Sequence, residues 1–228
     1  MRWLLVALVA ACGDNKFESL PYFAWTDQQT LGAFNIDHIA ADDPGLLDAV
    51  DRAKDFEVVL FYGHDPPNGT QYETIEALLA RAEKNAVSIL TFADLEAGTA
   101  RSGICLSFDD ADIDDWFLLR PLLARHSAHV SFMVTRYFAF TDAQREELHT
   151  LYADGNSIEA HGVNHVGYAD QDLATYVATE VQPSIAILRA DGFAPVAYAH
   201  PGGAHTAALD DAIAPRIRFM RGISGAPK

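Results

Sequence analysis

The chain has 228 residues, half of them hydrophobic, and its 32 acidic against 16 basic side chains leave a formal net charge of −16. That apolar fraction supports a packed core and excludes a disordered tail or a fibre, and the length suits one domain of ordinary size. An acidic field with no basic cluster repels polyanions, which excludes nucleic acid as a partner.

In chain order, Arg2 to Ala11 comes first, one basic residue followed by a short apolar stretch. It falls well below the roughly 20 residues that a membrane-spanning helix needs, and it reads as a secretory leader. Its end, Val9-Ala10-Ala11-Cys12-Gly13, resembles a bacterial lipobox. The resemblance implies a signal segment over 1–12, lipidation at Cys12 and a lipid anchor to the membrane. A small disulfide or an incidental cysteine is the other reading of Cys12. By resemblance to the proteobacterial sorting rule, Gly13 permits transfer to the outer membrane, so the expected location is the bacterial cell envelope, periplasm-facing or outer membrane. Residues 13–27 are polar and turn-rich and suit a tether. One domain is expected over 28–228. Cys105, inside Ile104-Cys105-Leu106-Ser107-Phe108, reads as a small core hydrophobe.

Short apolar runs then recur at Glu57 to Gly63, Ser88 to Ala93, Gly103 to Phe108, His129 to Val134, Asn156 to Ala160, Pro195 to Ala199 and Ile217 to Ile223. Helical patterns lie between most of them. Tyr72 to Lys84 carries Ile75, Leu78, Leu79 and Ala82 at spacings of three and four. Gln171 to Asp191 carries Leu173, Tyr176, Val177 and Val181 on one face, with Pro183 expected to kink or restart it. Strand, helix, strand at this rhythm predicts an α/β fold of parallel strands with helical crossovers, either an open sheet or a barrel. In both, the chemistry belongs at the C-terminal strand ends.

That rule selects the candidates. The run ending at Phe108 leads into Asp109-Asp110-Ala111-Asp112, and the run ending at Ala160 leads into His161-Gly162-Val163-Asn164-His165. The run ending at Ala199 leads into His200-Pro201-Gly202-Gly203, and the run ending near Gly63 leads into His64. Each has a plain structural reading: an Asp capping the next helix, a turn histidine, a rim histidine. Together, one carboxylate and two imidazoles make a facial set that leaves positions on a divalent metal open. A second acid beside that set is what hydrolysis needs, because it accepts the proton of the attacking water. Adjacent residues of an extended segment point to opposite faces, so one ligand and one base is a natural division of Asp109 and Asp110.

Leu106-Ser107-Phe108-Asp109-Asp110 resembles the T-F-D-D motif of the polysaccharide deacetylases, the NodB-like family 4 carbohydrate esterases. His161-Gly162-Val163-Asn164-His165 resembles their H-x-x-x-H motif, with Ala128 to Val134 in the place of the strand between the two. The likeness extends from about residue 55 to the end, with the motifs in 101–228. It implies a deformed (β/α) barrel and one divalent metal ion, zinc above all. It also implies a hydrolase removing N-acetyl (or O-acetyl) groups from a cell-envelope or extracellular polysaccharide. By position, Asp109 corresponds to the catalytic base and Asp110, His161 and His165 to the metal ligands, while Pro201 and the backbone N–H of Gly202 fall where substrate and oxyanion are held.

The chain departs from the family in three places. Ala199 stands where an Arg orients the base, Gly202 stands where an aromatic follows the Pro, and no tryptophan wall or strand ending in Leu-x-His follows residue 200. These departures predict an incomplete, C-terminally truncated barrel in which His200 or His205 serves as general acid. They also support a second reading, a catalytically degenerate lipoprotein acting as a glycan-binding or structural module.

Overall fold

In the computed structural model, residues 23–24, 28–54, 57–98, 102–169 and 171–224 are described. The elements run β1 (Phe23–Ala24), β2 (Thr30–Asn35), α1 (Pro44–Arg52), β3 (Glu57–His64), α2 (Tyr72–Lys84), β4 (Ile89–Leu90), α3 (Phe92–Ala97) and β5 (Gly103–Asp110). There follow α4 (Ile113–Leu118), α5 (Arg120–Arg125), β6 (Ser131–Val134), α6 (Asp142–Ala153) and β7 (Ser157–Ala160). The chain continues through α7 (Leu173–Tyr176), a π-helical turn (Val177–Val181), α8 (Gln182–Ala190), β8 (Ala197–Ala199), α9 (Ala207–Ile213) and β9 (Phe219–Ile223).

Seven strands close a parallel ring in the order β2, β3, β5, β6, β7, β8, β9 and back to β2. The expected barrel is therefore present, and the expectation that it is incomplete is corrected. The ring closes because β2, which lies in a stretch without a marked apolar run, pairs with β9 on one side and β3 on the other. Two short strands fill the edges that unequal strand lengths leave. β6 pairs only with the upper half of β5, and β4 pairs with the lower half at Ile104 and Cys105. Similarly, β1 pairs antiparallel with the first residues of β3. Phe23 and Ala24, at the end of the expected tether, are thus part of the sheet, a correction made by that ladder.

The strands alternate strictly, as the period of two requires. Inward lie Leu31, Ala33, Val58, Leu60, Tyr62, Cys105, Met133, Ala197, Ala199 and Phe219, joined by Phe92 and Leu95 of α3. Outward, Ile104, Leu106, Phe108, Phe132, Ile158 and Met220 meet the apolar faces of the surrounding helices, with Leu78 and Leu79 from α2 and Leu148 and Leu151 from α6. Burial pushes the Cys105 thiol well above its ordinary pKa, in keeping with a core role. Some inward residues are polar and satisfy one another. Ser157 Oγ donates to Ser131 Oγ at 2.8 Å, and Glu159 accepts the Val196 and Ala197 N–H groups, each at 2.7 Å.

The expected run Ser88 to Ala93 is a strand only at Ile89 and Leu90. Thr91 then caps α3 in a reciprocal box with Asp94, which satisfies two otherwise orphaned N–H groups and turns the chain. The helix α2 has the bounds its spacing predicts. Around Pro183 the helix is not broken. Its missing N–H is absorbed by the π turn just before it, and Gln182 keeps helical dihedrals. Among the described residues no helix is long and apolar enough to cross a membrane. Residues 1–12, with Cys12, lie outside the described residues.

Candidate active site

At the C-terminal rim the inward register brings Asp109, His64, His161 and Arg221 together. Asp109 and His64 stand opposite each other in the β3–β5 ladder. Asp109 points inward and is buried. Asp110, the last residue of β5, has a φ of 90°, a conformation that an L side chain rarely adopts. That twist lets both carboxylates approach one imidazole. His161 Nε2 lies 3.9 Å from Asp109 Oδ2 and 3.7 Å from Asp110 Oδ1.

His161 follows β7 directly, and its Nδ1–H donates to the Ala199 carbonyl at 2.9 Å. This bond fixes the ring and leaves the Nε2 lone pair for the site. Burial lowers the His161 pKa and keeps the imidazole neutral. His165 reaches the same place from the loop, its Nε2 3.1 Å from Asp110 Oδ1 and its own φ left-handed at 61°. The loop is held by Glu180, which accepts the Asn164 N–H at 2.8 Å and its side-chain amide at 2.7 Å. Glu180 sits in the π turn, so the irregular helical turn is what aims the clamp.

Asp109 Oδ2 accepts a hydrogen bond from the Arg221 guanidinium in a buried ion pair. Arg221 also lies over the Tyr62 ring, 4.6 Å from its centroid. In the β8–β9 ladder Arg221 stands opposite Ala199. The arginine missing from β8 is thus supplied by the neighbouring strand, with the alanine leaving it room. A histidine from upstream, at the end of β3, faces the same carboxylate. His64 Nε2 lies 4.0 Å from Asp109 Oδ2, and its Nδ1 lies 2.5 Å from Asp37 Oδ2. Asp37 also accepts from the His64 N–H at 2.8 Å and from Thr70 Oγ1 at 2.6 Å. Burial alone would lower the His64 pKa, but the Asp37 hydrogen bond and the charges of Asp109, Asp37 and Asp110 outweigh it and raise the value. Asp37 is held at about 2, because its hydrogen bonds from His64, Thr70 and Asn35 outweigh its burial.

The other candidates are placed as follows. Pro201 packs against the glycine that follows His161, since a Cβ at Gly162 would lie 3.3 Å from Pro201 Cγ. Gly202 takes a left-handed φ of 63° in the turn after β8, which explains a glycine where an aromatic is expected. His200 and His205, expected as candidates for the acid, engage Asp210 of α9, and the imidazoles beside Asp109 are His161 and His64. Arg221 and Asp37 were not among the expected residues. An arginine inside the apolar run Ile217 to Ile223 was a signal for the first, and the second, after a stretch with no marked apolar run, had none.

Asp110, His161 and His165 fit a divalent cation. Asp110 Oδ1 is buried without a hydrogen bond, faced by two imidazole nitrogens, and the His161 tautomer directs a lone pair at the same point. Asp109 Oδ1, beside it, is also buried without a hydrogen bond, a basic oxygen aimed into the site.

The family model described as polysaccharide deacetylase matches residues 96–215. Similar folds occur in the Streptococcus pyogenes deacetylase PplD in complex with acetate, 18% identical over 71% of this chain and 80% of that chain, with a TM-score of 0.56. IcaB from Ammonifex degensii is 17% identical over 75% of this chain and 86% of its own, with a TM-score of 0.55. A de-N-acetylase from Aggregatibacter actinomycetemcomitans is 12% identical over 75% and 95%, also at 0.55. At such identities the likeness is one of fold. No curated protein matches the chain.

Proposed function

The chain belongs to the polysaccharide deacetylase family and is a carbohydrate deacetylase, and from that premise we propose that it removes N-acetyl (or O-acetyl) groups from a cell-envelope or extracellular polysaccharide. The observation that carries this reading is the Arg221–Asp109 ion pair set beside Asp110, His161 and His165. A divalent ion held by those three residues, zinc in our reading, supplies Lewis-acid polarisation of the acetyl carbonyl and a more acidic water.

The chain's own residues do the rest. Arg221 engages Asp109 through Oδ2 and leaves Oδ1 to take the proton of the attacking water. The water oxygen bonds the carbonyl carbon, and the developing oxyanion accepts from the Gly202 N–H. The C–N bond then breaks. His64, whose proton Asp37 favours and whose ring Asp37 aims, gives its Nε2 proton to the leaving amine, so the products are acetate and a free amino sugar. The degenerate-module reading rested on a missing Arg and a short C-terminus. The Arg221–Asp109 pair and the closure of the ring by β9 support the enzyme reading over it.

Asp109→Asn should retain a bound metal ion yet release no acetate from N-acetylglucosamine oligomers, whereas His161→Ala should lose both. A wild-type protein that retains no ion would sink the metallohydrolase reading. We propose further that lipidation of Cys12 anchors the protein in the cell envelope, a reading supported by the lipobox-like sequence. Labelled fatty acid should enter the wild-type protein in cells, and Cys12→Ala should abolish it.

A further inference from the structure

Outside the barrel wall, on the face away from Asp109, a second set of metal-type donors meets between β8, β9 and α9. His200 follows β8, His205 precedes α9 and Asp210 lies on α9. Their ligand atoms all lie within 4.8 Å of one another. His200 Nε2 is 3.1 Å from Asp210 Oδ1, and His205 Nδ1 is 3.0 Å from Asp210 Oδ2. Both separations approach the edge of a tetrahedron built on zinc–nitrogen bonds of roughly 2.1 Å, about 3.4 Å.

Two further observations point to a ligand. His200 is 0% exposed, yet neither of its ring nitrogens makes a hydrogen bond, although Nε2 is directed at a carboxylate oxygen. A buried imidazole with both nitrogens unserved is costly, and a cation in the gap would take the Nε2 lone pair. The wall is also recessed to admit the second imidazole. A Cβ at Gly222 would fall 2.7 Å from His205 Nε2, so this glycine is what lets the ring lie against β9. The two imidazoles stack 4.8 Å apart at 13°, presenting their edges side by side.

We propose that His200, His205 and Asp210 form a second divalent-cation site, separate from the rim set and structural in character. On loading, the His205 ring carries its proton on Nε2 and gives the Nδ1 lone pair to the ion. The ion then ties α9 to the end of β8. Because the His200 N–H donates to the Arg221 carbonyl at 2.9 Å, it also steadies the strand that carries Arg221.

The test is a zinc or cobalt(II) titration of the metal-stripped full chain, read by native mass spectrometry and by cobalt d–d absorption. The wild type should take up two ions, His165→Ala one, His205→Gln one and the double variant none. The Gln keeps a side-chain N–H for Asp210, so the contact to α9 survives. A wild type that binds one ion, lost in His165→Ala and kept in His205→Gln, overturns the proposal, as does uptake of two ions by His205→Gln. In His165→Ala, saturating zinc should raise Tm, and an unchanged Tm also overturns it. One ion lost in His205→Gln but kept in His165→Ala supports this site and counts against the rim set instead.

Discussion

The two ends of the barrel interior are built by the same alternation and do opposite things. At the N-terminal end the inward positions include Val58, Cys105 and Phe219, packed with Phe92 and Leu95 from α3. At the C-terminal end the same register carries Asp109, His64, His161 and Arg221. The difference shows that the site is not an insertion into the fold. It is the continuation of the core, with residue types changed within two or three positions of each strand. The apolar plug supplies burial energy, and the polar rim spends some of it to hold charges in a dry place.

Substitutions at the two ends should therefore separate stability from turnover. Arg221→Met should have the largest effect, because it leaves the buried Asp109 carboxylate without its partner. Removing one member of such a pair costs about 3–5 kcal/mol, and acetate release should fall by ~10³-fold. Urea unfolding and kcat/KM measure the two losses, and wild-type values for either would remove Arg221 from the site. Leu95→Ala, at the sealed end, should cost about 2–5 kcal/mol through the cavity it leaves, with kcat nearly unchanged. A large fall in kcat there would show that the ends are coupled.

Asp37→Asn should have the smallest effect and the most specific. The Asp37 pKa lies at about 2 in the fold against an ordinary 3.8, so its contribution of about 2 kcal/mol is present above the ordinary value. It is lost as pH falls through the folded one, and wild type and variant should converge in stability near pH 2. Asp37 also raises the His64 pKa. Without it, His64 loses its proton at lower pH, so the alkaline limb of the kcat profile should move down. A limb that does not move means that another group is the acid.

The reach of the sequence follows from the distance over which each feature is made. Asp109, Asp110, His161 and His165 were legible because each sits in a short motif directly after a strand. The Tyr72 to Lys84 helix was legible from its local spacing. Arg221 was not, because its partner is 112 positions away and the meeting depends on β8 and β9 lying side by side. The same holds for Asp37, and for the part played by His64, which was a candidate only by its place at a strand end. His64 reads as a turn residue until β3 is known to flank β5. Asp37 gains a role only because Thr30–Asn35, with a glycine and little β-branching, becomes the strand that closes the ring. Closure in space replaced what was missing in chain order.

The π-helical turn at Val177–Val181 carries a consequence for how this chain tolerates change in length. An α-helix advances about 100° per residue, so deleting one residue from that turn would restore regular winding and swing Glu180 away from Asn164. Both ends of the helix would survive, and so would its apolar contacts. The loop holding His165 would lose its two anchors. A single-codon deletion far from every motif would then leave a folded barrel with a slack candidate metal site, so that alignments judging the chain by its motifs alone would count it intact.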